Sequence, residues 1–503
     1  MVGECKYLEG FTEDTIIGDL KKEIYEDVKS LRIIAKYMFT QCIIDITEEL
    51  EKDFSEQGNR HYPRQLLLGI LLYCFSLGMY KYSQIAKECR QNRYLRIFTR
   101  GAEPCESTFR NFLNESENET IRKIFLYTLV RYNDEDLLKF LHYFIDSTDA
   151  IVRGSKYYKI YKIELEAMKF MKEHNLLHHA QKEKQMKRSF NKLLKLREEN
   201  INDEKTVELI DIILPRIHIY TYKMYERLDE FEQAIENSNK DFVCITYPNA
   251  PLIPTKKGNW DFAKNLQVAV NDDNVILGSI FINNPDDSKA LPQIIPELKK
   301  NFEILLDLQK KYGKRENYKT IENMLEKAML VCDSGYASEE NIVYITKNDI
   351  RSLIMPKITA IYINNKMRSY DEKLETLSGE ITIADEEIEK TYKKDMQRIW
   401  NGYLCKFNRP VLLTEKTPIP DEKEKGLPRI ATKMNFKYEA VNCTGCPYIE
   451  ICKHRSFTEK ISPYIFDSMN KFTQTFYQDL YMKRFHKSES VNGYFKGIDG
   501  ILH

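Results

Sequence analysis

Residues 140–148, FLHYFIDST, form an apolar and aromatic run that leads into a carboxylate, and residues 328–336, AMLVCDSGY, have the same pattern. Such a run is typical of a buried strand. The acid that follows it is costly to bury unless it is paired, hydrogen-bonded or bound to a metal. If the two strands lie side by side in a mixed sheet, the carboxylates of Asp146 and Asp333 meet at one point. The pattern therefore predicts an α/β fold with oxygen ligands suited to Mg²⁺ or Mn²⁺.

A simpler interpretation is that each aspartate only caps the turn after its strand, where Asp is common. That interpretation is sufficient for one strand. Two strands with the same ending favour a shared site instead, because both acids then have a reason to follow buried residues.

The bulk composition indicates an ordinary globular chain. It has 503 residues, 42% of them apolar and 30% charged, and its formal net charge is zero. This length predicts two or three structural units. The longest strongly apolar run, residues 66–75, is too short to span a bilayer, and the N-terminus has no signal-peptide pattern. We therefore expect a cytoplasmic protein without a membrane partner.

Residues 1–135 have helical periodicity and a local excess of positive charge. A helix over 64–75, a break at Gly78, a helix over 84–90 capped by Ser83 and a third helix from Ser107 resemble a helix-turn-helix, although many helical bundles share this skeleton. Residues 61–100 contain seven basic residues and one acidic residue, a net charge of +6. The basic residues are Arg64, Lys81, Lys87, Arg90, Arg93, Arg96 and Arg100. These side chains form either a solvated helix face or a surface that contacts DNA phosphates.

The middle of the chain alternates strand-like and helical patterns. Two adjacent strands within 262–283 predict a hairpin, and a helix is expected over 296–312 with Pro296 at its start. Residues 156–240 predict two long helices. Residues 365–440 are polar and irregular in pattern, and the last 45 residues are helical and somewhat basic.

The C-terminal tail supplies a third carboxylate, Glu489. It lies in a basic helical segment with Tyr481 and Arg484, and Lys496 follows seven residues later, about two helical turns on. On spacing alone, this segment is equally consistent with a solvated charged face.

A cysteine cluster predicts a structural zinc site. Cys443, Cys446 and Cys452 follow one another closely, and Cys405 lies upstream. Four thiolates suit tetrahedral Zn²⁺. His454 is an alternative fourth ligand to Cys405. Reduced thiols without metal and a redox role are the other interpretations.

Together these segments resemble the DDE transposases of bacterial insertion sequences. HYPRQLLLGILLYCFSLGMYKYSQIAKECRQN followed by EPCESTFRNF is similar to the helical N-terminal module of that family. FIDSTDA resembles the segment of the first catalytic aspartate, usually D-G-T, with Ser147 here in place of glycine. LVCDSGYAS is similar to the second, and Tyr481, Arg484, Glu489 and Lys496 occupy the places of the signature Y-x2-R…E-x6-K.

The resemblance implies a ribonuclease-H-like mixed sheet flanked by helices. Asp146 would end the first strand and Asp333 the fourth, and both would join Glu489 in a catalytic triad that binds Mg²⁺ or Mn²⁺ for two-metal phosphoryl transfer. The implied units are a DNA-binding module (1–135), a catalytic core (136–155 and 241–360), a helical insertion (156–240), a polar insertion with the cysteines (361–460) and a C-terminal catalytic segment (461–503).

The implied partner is double-stranded DNA, both the terminal inverted repeats of the element and its target. Phosphate contacts would come from Arg484, Lys496 and Tyr481 near the cut and from Arg90, Arg93 and Arg96 in the N-terminal module. A homodimer on DNA, associated with the bacterial nucleoid, is also implied.

Two departures from the family pattern leave an alternative open. Four residues separate Arg484 from Glu489, one more than in the shortest form of the signature, and the chain ends at His503, soon after Lys496. The alternative is a truncated, catalytically impaired relic that acts only as a DNA-binding protein. A non-transposing nuclease on the same fold is a further rival.

Overall fold

The structure is a computed structural model of the 503-residue chain. It describes residues 11–22, 27–51, 62–116, 118–138, 140–151, 158–180, 182–238, 240–255, 258–322, 324–356, 397–405, 409–423, 426–446, 449, 455–484, 486–487 and 491. The chain divides into two compact units. The first contains the described residues within 1–147, 267–280 and 286–501, and the second contains those within 148–266 and 281–285.

The first unit begins with eight helices. They are α1 (Glu13–Lys21), α2 (Asp27–Met38), α3 (Gln41–Glu51), α4 (Arg64–Ser76), α5 (Tyr82–Gln91), α6 (Arg93–Phe98), α7 (Glu106–Glu115) and α8 (Asn118–Asp134). Gly78 has a positive φ of 74° and separates α4 from α5, as predicted. The prediction that Ser83 caps the second helix is wrong, since α5 begins at Tyr82 after Lys81. The next helix, α6, does have a side-chain cap: Asn92 Oδ1 accepts from the N–H groups of Tyr94 and Leu95.

Gly69 of α4 packs closely against the ring of Phe98 in α6. A Cβ at this position of α4 would lie 2.5 Å from Cζ of Phe98. Gly69→Ala is expected to destabilise the module by about 1–3 kcal/mol through overpacking, more than the roughly 1 kcal/mol that alanine contributes to helix propensity. Gly18→Ala in α1 is the matched control, because in the described part of the chain no atom outside its own helix backbone and chain neighbours lies within 4 Å of its Cβ position. Thermal unfolding should show a lower midpoint for the first variant and an unchanged or higher one for the second; equal midpoints would contradict the packing described here.

The central sheet has six strands: β1 (His142–Ile151), β4 (Leu252–Pro254), β5 (Trp260–Asn271), β6 (Ile276–Ile282), β7 (Met329–Cys332) and β8 (Ser352–Ile354). The order is β4-β5-β1-β7-β8, and β6 also pairs with β5. Strand β1 pairs in parallel with β7, and β7 pairs in parallel with β8. The predicted hairpin is present as β5 and β6. The mixed helix-and-sheet class expected from the sequence is therefore confirmed.

The helices of this core follow β6 and β7. They are α14 (Leu291–Tyr312), α15 (Tyr318–Ile321), α16 (Met324–Lys327) and α17 (Glu339–Lys347). The predicted start at Pro296 is wrong, because α14 begins five residues earlier. Asn341 explains the difference, since its Oδ1 accepts from the N–H of Leu291 at 3.1 Å. This N–H, at the start of the helix, has no hydrogen-bond acceptor within the helix itself. Helix α8 packs along α14, where Gln309 donates to Asp134 at 2.7 Å.

The second unit is built from β2 (Lys159–Tyr161), β3 (Phe242–Cys244), β4, the first part of β5 and a helical cluster. The helices are α9 (Lys162–Glu173), α10 (Glu183–Glu199), α11 (Glu204–Ile213), α12 (Tyr222–Tyr225) and α13 (Leu228–Ser238). The prediction of two long helices over 156–240 is therefore wrong. Apolar side chains from all but the shortest of these helices form one buried cluster, so shorter helices fold back on one another instead of extending.

The C-terminal part of the first unit contains a second sheet with the order β13-β12-β11-β10-β9, in which all neighbouring strands pair antiparallel. Its strands are β9 (Gln397–Ile399), β10 (Gly402–Leu404), β11 (Pro410–Pro418), β12 (Met434–Ala440) and β13 (Ser456–Ile461). The expectation of irregular structure over 365–440 is wrong for β9, β10, β11 and β12. Their buried face is small, with Tyr403, Val411, Phe436 and Tyr438 at its centre, so the sequence there looks polar.

Three helices complete the described chain: α18 (Pro420–Lys423), α19 (Pro463–Lys471) and α20 (Thr475–Arg484). Among the described residues, no helix is both long and apolar enough to cross a membrane.

Candidate active site

Adjacent parallel strands bring Asp146 and Asp333 to the same place. The register pairs His142 with Met329 and Phe144 with Val331. Extended by two residues, this register sets Asp146 beside Asp333, at the typical strand spacing of about 4.8 Å. The expectation that Asp146 ends its strand is wrong, because β1 continues to Ile151. The Asp146 carboxylate therefore leaves the sheet within a strand, whereas Asp333 follows the last residue of β7.

The turn after β7 holds the Asp333 carboxylate. Its Oδ1 accepts from the N–H of Gly335 at 2.8 Å and so begins the short 3-10 turn Ser334–Tyr336. A Cβ at Gly335 would lie 3.0 Å from Asp333 Oδ1 and 3.2 Å from Asp287 Oδ2. Glycine is thus favoured by close approach to two carboxylates, not by its backbone angles.

Arg484 lies between the two strand aspartates. Its Nη1 is 3.3 Å from Asp146 Oδ2 and 3.9 Å from Asp333 Oδ2. The guanidinium also lies over the ring of Tyr481, with 5.3 Å from Cζ to the centroid. Residues three apart share one face of a helix, so α20 presents Tyr481 and Arg484 together. Both side chains are buried. Their predicted contact with DNA phosphate stays a prediction, and in this structure Arg484 neutralises the carboxylates.

A third aspartate, Asp287, completes the acidic cluster, and sequence reasoning missed it. Ser147 Oγ donates to Asp287 Oδ2 at 2.9 Å, and Gln267 Nε2 donates to Asp287 Oδ1 at 2.7 Å. The only local signal is the pair of aspartates in the segment NNPDDSKAL, which reads as the acidic start of a helix. Nothing in that segment indicates a partner 140 residues away.

The pKa of Asp333 is raised above its ordinary value. Burial is the main cause, and the negative charges of Asp146 and Asp287 add to it, while Arg484 opposes them. Burial opposes the charged form of Arg484, but Asp146, Tyr481 and Asp333 raise the pKa of its guanidinium above the ordinary value, so it stays charged. Three carboxyl groups thus surround one guanidinium, an arrangement that favours an added cation.

This pKa shift predicts a pH-dependent cost to stability. A carboxyl group whose folded-state pKa is raised destabilises the fold when it ionises, so stability is lost as pH rises from the unfolded to the folded pKa. Asp333→Asn is expected to raise the unfolding midpoint at pH 7 in the presence of EDTA. The gain should shrink as pH falls through the folded-state pKa. Thermal scans from pH 3 to pH 8 test this, and a gain that grows on acidification would contradict it.

The other predicted residues of the active site lie outside the described part of the chain. These are Glu489 and Lys496, so the third member of the predicted triad has no described position. Within the described residues, no group of three or more His, Cys, Asp or Glu side chains is arranged to hold a metal ion.

The N-terminal basic residues differ in exposure and in pairing. Arg90, Arg93 and Arg96 are exposed on α5 and α6, where predicted phosphate contacts would need them. Arg64 is buried and pairs with Glu115 at 2.8 Å, so it belongs to the core of the module and not to a basic surface. Arg100 is exposed but pairs with Asp19 at 3.0 Å.

The cysteine segments meet at one end of the second sheet. Cys405 N–H donates to the carbonyl of Arg409, and Arg409 Nη1 donates to the carbonyl of Thr444 at 2.7 Å. Thr444 lies between Cys443 and Cys446. The structure therefore connects Cys405 to the C-x2-C turn through one arginine, and these three thiols are free and partly exposed. Cys452 and His454 lie outside the described residues.

Comparison with known proteins identifies the N-terminal helices. Residues 21–115 match the family described as Transposase domain (DUF772). No curated protein and no solved structure matches the chain. The matched region spans helices α2 to α7 and the end of α1, and it supports a transposase function for this chain. The general class expected from the sequence is thus confirmed.

Proposed function

We propose that this chain is a DDE-type DNA transposase that cleaves and transfers DNA strands with Mg²⁺ or Mn²⁺ at Asp146, Asp333 and Glu489. The observation that carries the proposal is the parallel pairing of β1 with β7, which brings Asp146 within β1 and Asp333 directly after β7 to the same guanidinium. The transposase-domain match of residues 21–115 supports the same class independently.

The sheet order supports a ribonuclease-H-like core. Numbered from β1 along that core, its strands are β1, β5, β6, β7 and β8, and the aspartates lie on the first and follow the fourth. Those two strands are adjacent and parallel. This is the arrangement that the resemblance to DDE transposases implies, with β5 and β6 as the hairpin on the other side of β1.

The donor set at the site fits a hard divalent cation. Carboxylate oxygens are the ligands that Mg²⁺ prefers. Three carboxyl groups lie here beside the single positive charge of Arg484. Asp146 and Asp333 would hold the metal together with Glu489. A bound divalent cation would activate the attacking water or 3′-hydroxyl and stabilise the leaving oxygen.

The chain's own residues would position DNA. Arg484, next to both carboxylates, would move its guanidinium toward a backbone phosphate once a cation takes over the neutralisation of Asp146 and Asp333. Tyr481 would support the guanidinium through its ring. Lys496, together with Arg90, Arg93 and Arg96, would contact phosphates elsewhere on the duplex. Two element ends imply two copies of the chain on DNA.

The test is a strand-transfer assay with a plasmid that carries the gene and its native flanking DNA. The protein with Mg²⁺ should release element ends and join them to a second plasmid. Cleavage without joining would favour a nuclease. DNA binding without cleavage in either Mg²⁺ or Mn²⁺ would favour the relic, and the proposal would then be wrong.

We further propose that Cys405, Cys443, Cys446 and Cys452 hold a structural Zn²⁺. The arginine link between the Cys405 loop and the C-x2-C turn supports it. Purified protein is expected to contain about one zinc per chain, and Cys443→Ser should lose it with lower thermal stability. Cys105→Ser is the control, because that exposed thiol directly precedes α7, remote in sequence from the cluster. Equal zinc content in both variants would contradict the assignment.

A further inference from the structure

Asp287 occupies a position that neither the triad nor the transposase match explains. It lies in the short 3-10 turn that precedes α14, yet its side chain reaches the residue next to Asp146 and approaches the turn that carries Asp333. Two fully buried side chains extend the contact. Gln267 donates to Asp287, and the Tyr336 hydroxyl donates to Gln267 Oε1.

The backbone around Asp287 is fixed as firmly as its carboxylate. Asn341 Nδ2 donates to the carbonyl of Asp287 at 2.8 Å and to the carbonyl of Tyr336 at 3.1 Å. Ser338 Oγ donates to the carbonyl of Ser288. Three segments that are far apart in sequence are thereby held together: the end of β1's apolar run, the turn after β7 and the approach to α14.

We propose that Asp287 is a positioning residue of the active centre, which fixes the separation of the Asp146 and Asp333 carboxylates by binding Ser147 on one side and the Gln267–Tyr336 pair on the other. The inference rests on the proposed function and deepens it. Ser147 has a specific part in this arrangement, because its hydroxyl stands where the resembling family usually has glycine. This chain thus makes a hydrogen bond to Asp287 that a glycine does not supply.

Two substitutions of Asp287 separate positioning from direct metal binding. Asparagine keeps both contacts, since its Oδ1 accepts from Gln267 and its Nδ2 donates to the Ser147 hydroxyl, which also accepts. Alanine removes both. If Asp287 acts through geometry, Asp287→Asn should bind Mn²⁺ within about threefold of the unaltered protein, while Asp287→Ala should bind it about 10–100-fold more weakly, the usual effect of losing a residue that orients ligands.

The experiment is a titration of the full-length protein with Mn²⁺ alone, followed by electron paramagnetic resonance of the free ion, with plasmid nicking measured in parallel. Ser147→Ala provides a second variant that removes one contact only, and a smaller loss of affinity is expected. The double variant Ser147→Ala/Asp287→Ala should be no weaker than Asp287→Ala, because both substitutions remove the same hydrogen bond.

The outcomes distinguish this inference from the proposed function. Equal Mn²⁺ affinity for Asp287→Ala and the unaltered protein overturns the positioning role even if the protein cleaves DNA. Equal losses for Asp287→Asn and Asp287→Ala overturn it in favour of a direct ligand or charge effect. If Asp287→Ala does not fold, Mn²⁺ affinity of Ser147→Ala equal to that of the unaltered protein overturns it. Failure of the unaltered protein to nick DNA, with the Mn²⁺ pattern intact, counts against the proposed function and not against the geometry.

Discussion

Replacing Asp146 or Asp333 with alanine is expected to lower the rate of Mg²⁺-dependent plasmid nicking at least about a thousandfold, which corresponds to roughly 4 kcal/mol of transition-state stabilisation. The reason is that the two carboxylates, one within β1 and the other directly after β7, would share one cation in the proposed mechanism. Loss of either one leaves an incomplete set of ligands, which neither DNA binding nor the rest of the site replaces.

The control for this loss is Asp307→Ala. Asp307 is an exposed aspartate on α14, in the same unit but on a face turned to solvent. That variant should nick at the rate of the unaltered protein. DNA affinity, measured in EDTA, should be the same in all three variants to within a few-fold. Full nicking by Asp333→Ala would contradict the catalytic assignment, whereas loss of DNA binding together with nicking would indicate misfolding.

Replacing Arg484 with alanine should have the second largest effect, and the effect should depend on metal. The guanidinium is buried and lies within 4 Å of two carboxylates. Its removal leaves these charges uncompensated, which in a buried setting costs about 3 kcal/mol or more. A divalent cation that binds the same carboxylates would restore the balance. Mn²⁺ should therefore raise the unfolding midpoint of Arg484→Ala more than that of the unaltered protein.

Arg398→Ala is the matched control for Arg484→Ala. Arg398 is also packed against aromatic rings, with Tyr403, Tyr438 and Phe466 around its guanidinium, and it donates to Asn470 Oδ1. No carboxylate is among these partners. Its removal should lower stability to the same extent with and without Mn²⁺. A metal-dependent rescue of both variants, or of neither, would argue against a cation at the Arg484 carboxylates.

The strand aspartates were predictable from sequence because their signal is local. An apolar run that leads into an acid can be read at Asp146 and at Asp333 without knowing what lies next to either strand. The spacing of Tyr481 and Arg484 by three residues likewise predicts one helix face. What the pattern did not reveal is that Arg484 turns toward the carboxylates and that β1 runs on past Asp146, since both depend on neighbouring strands and helices.

Asp287 was not predictable because its role is entirely long-range. Its partners, Ser147 and Gln267, lie 140 and 20 residues away. The start of α14 was misplaced for a similar reason, because the group that caps it is Asn341 of α17. The five-stranded sheet over 397–461 was missed because its strands bury few side chains, so their alternation of apolar and polar residues is weak.

The most direct test of the whole account is anomalous diffraction from crystals of the full-length protein soaked in Mn²⁺. We expect a manganese peak roughly 2 Å from carboxylate oxygens of both Asp146 and Asp333, with the Arg484 side chain displaced from its present contact. A structure in which Arg484 stays between the two aspartates at saturating Mn²⁺, with no peak at either carboxylate, would contradict the claim that these strands build a metal-dependent active site.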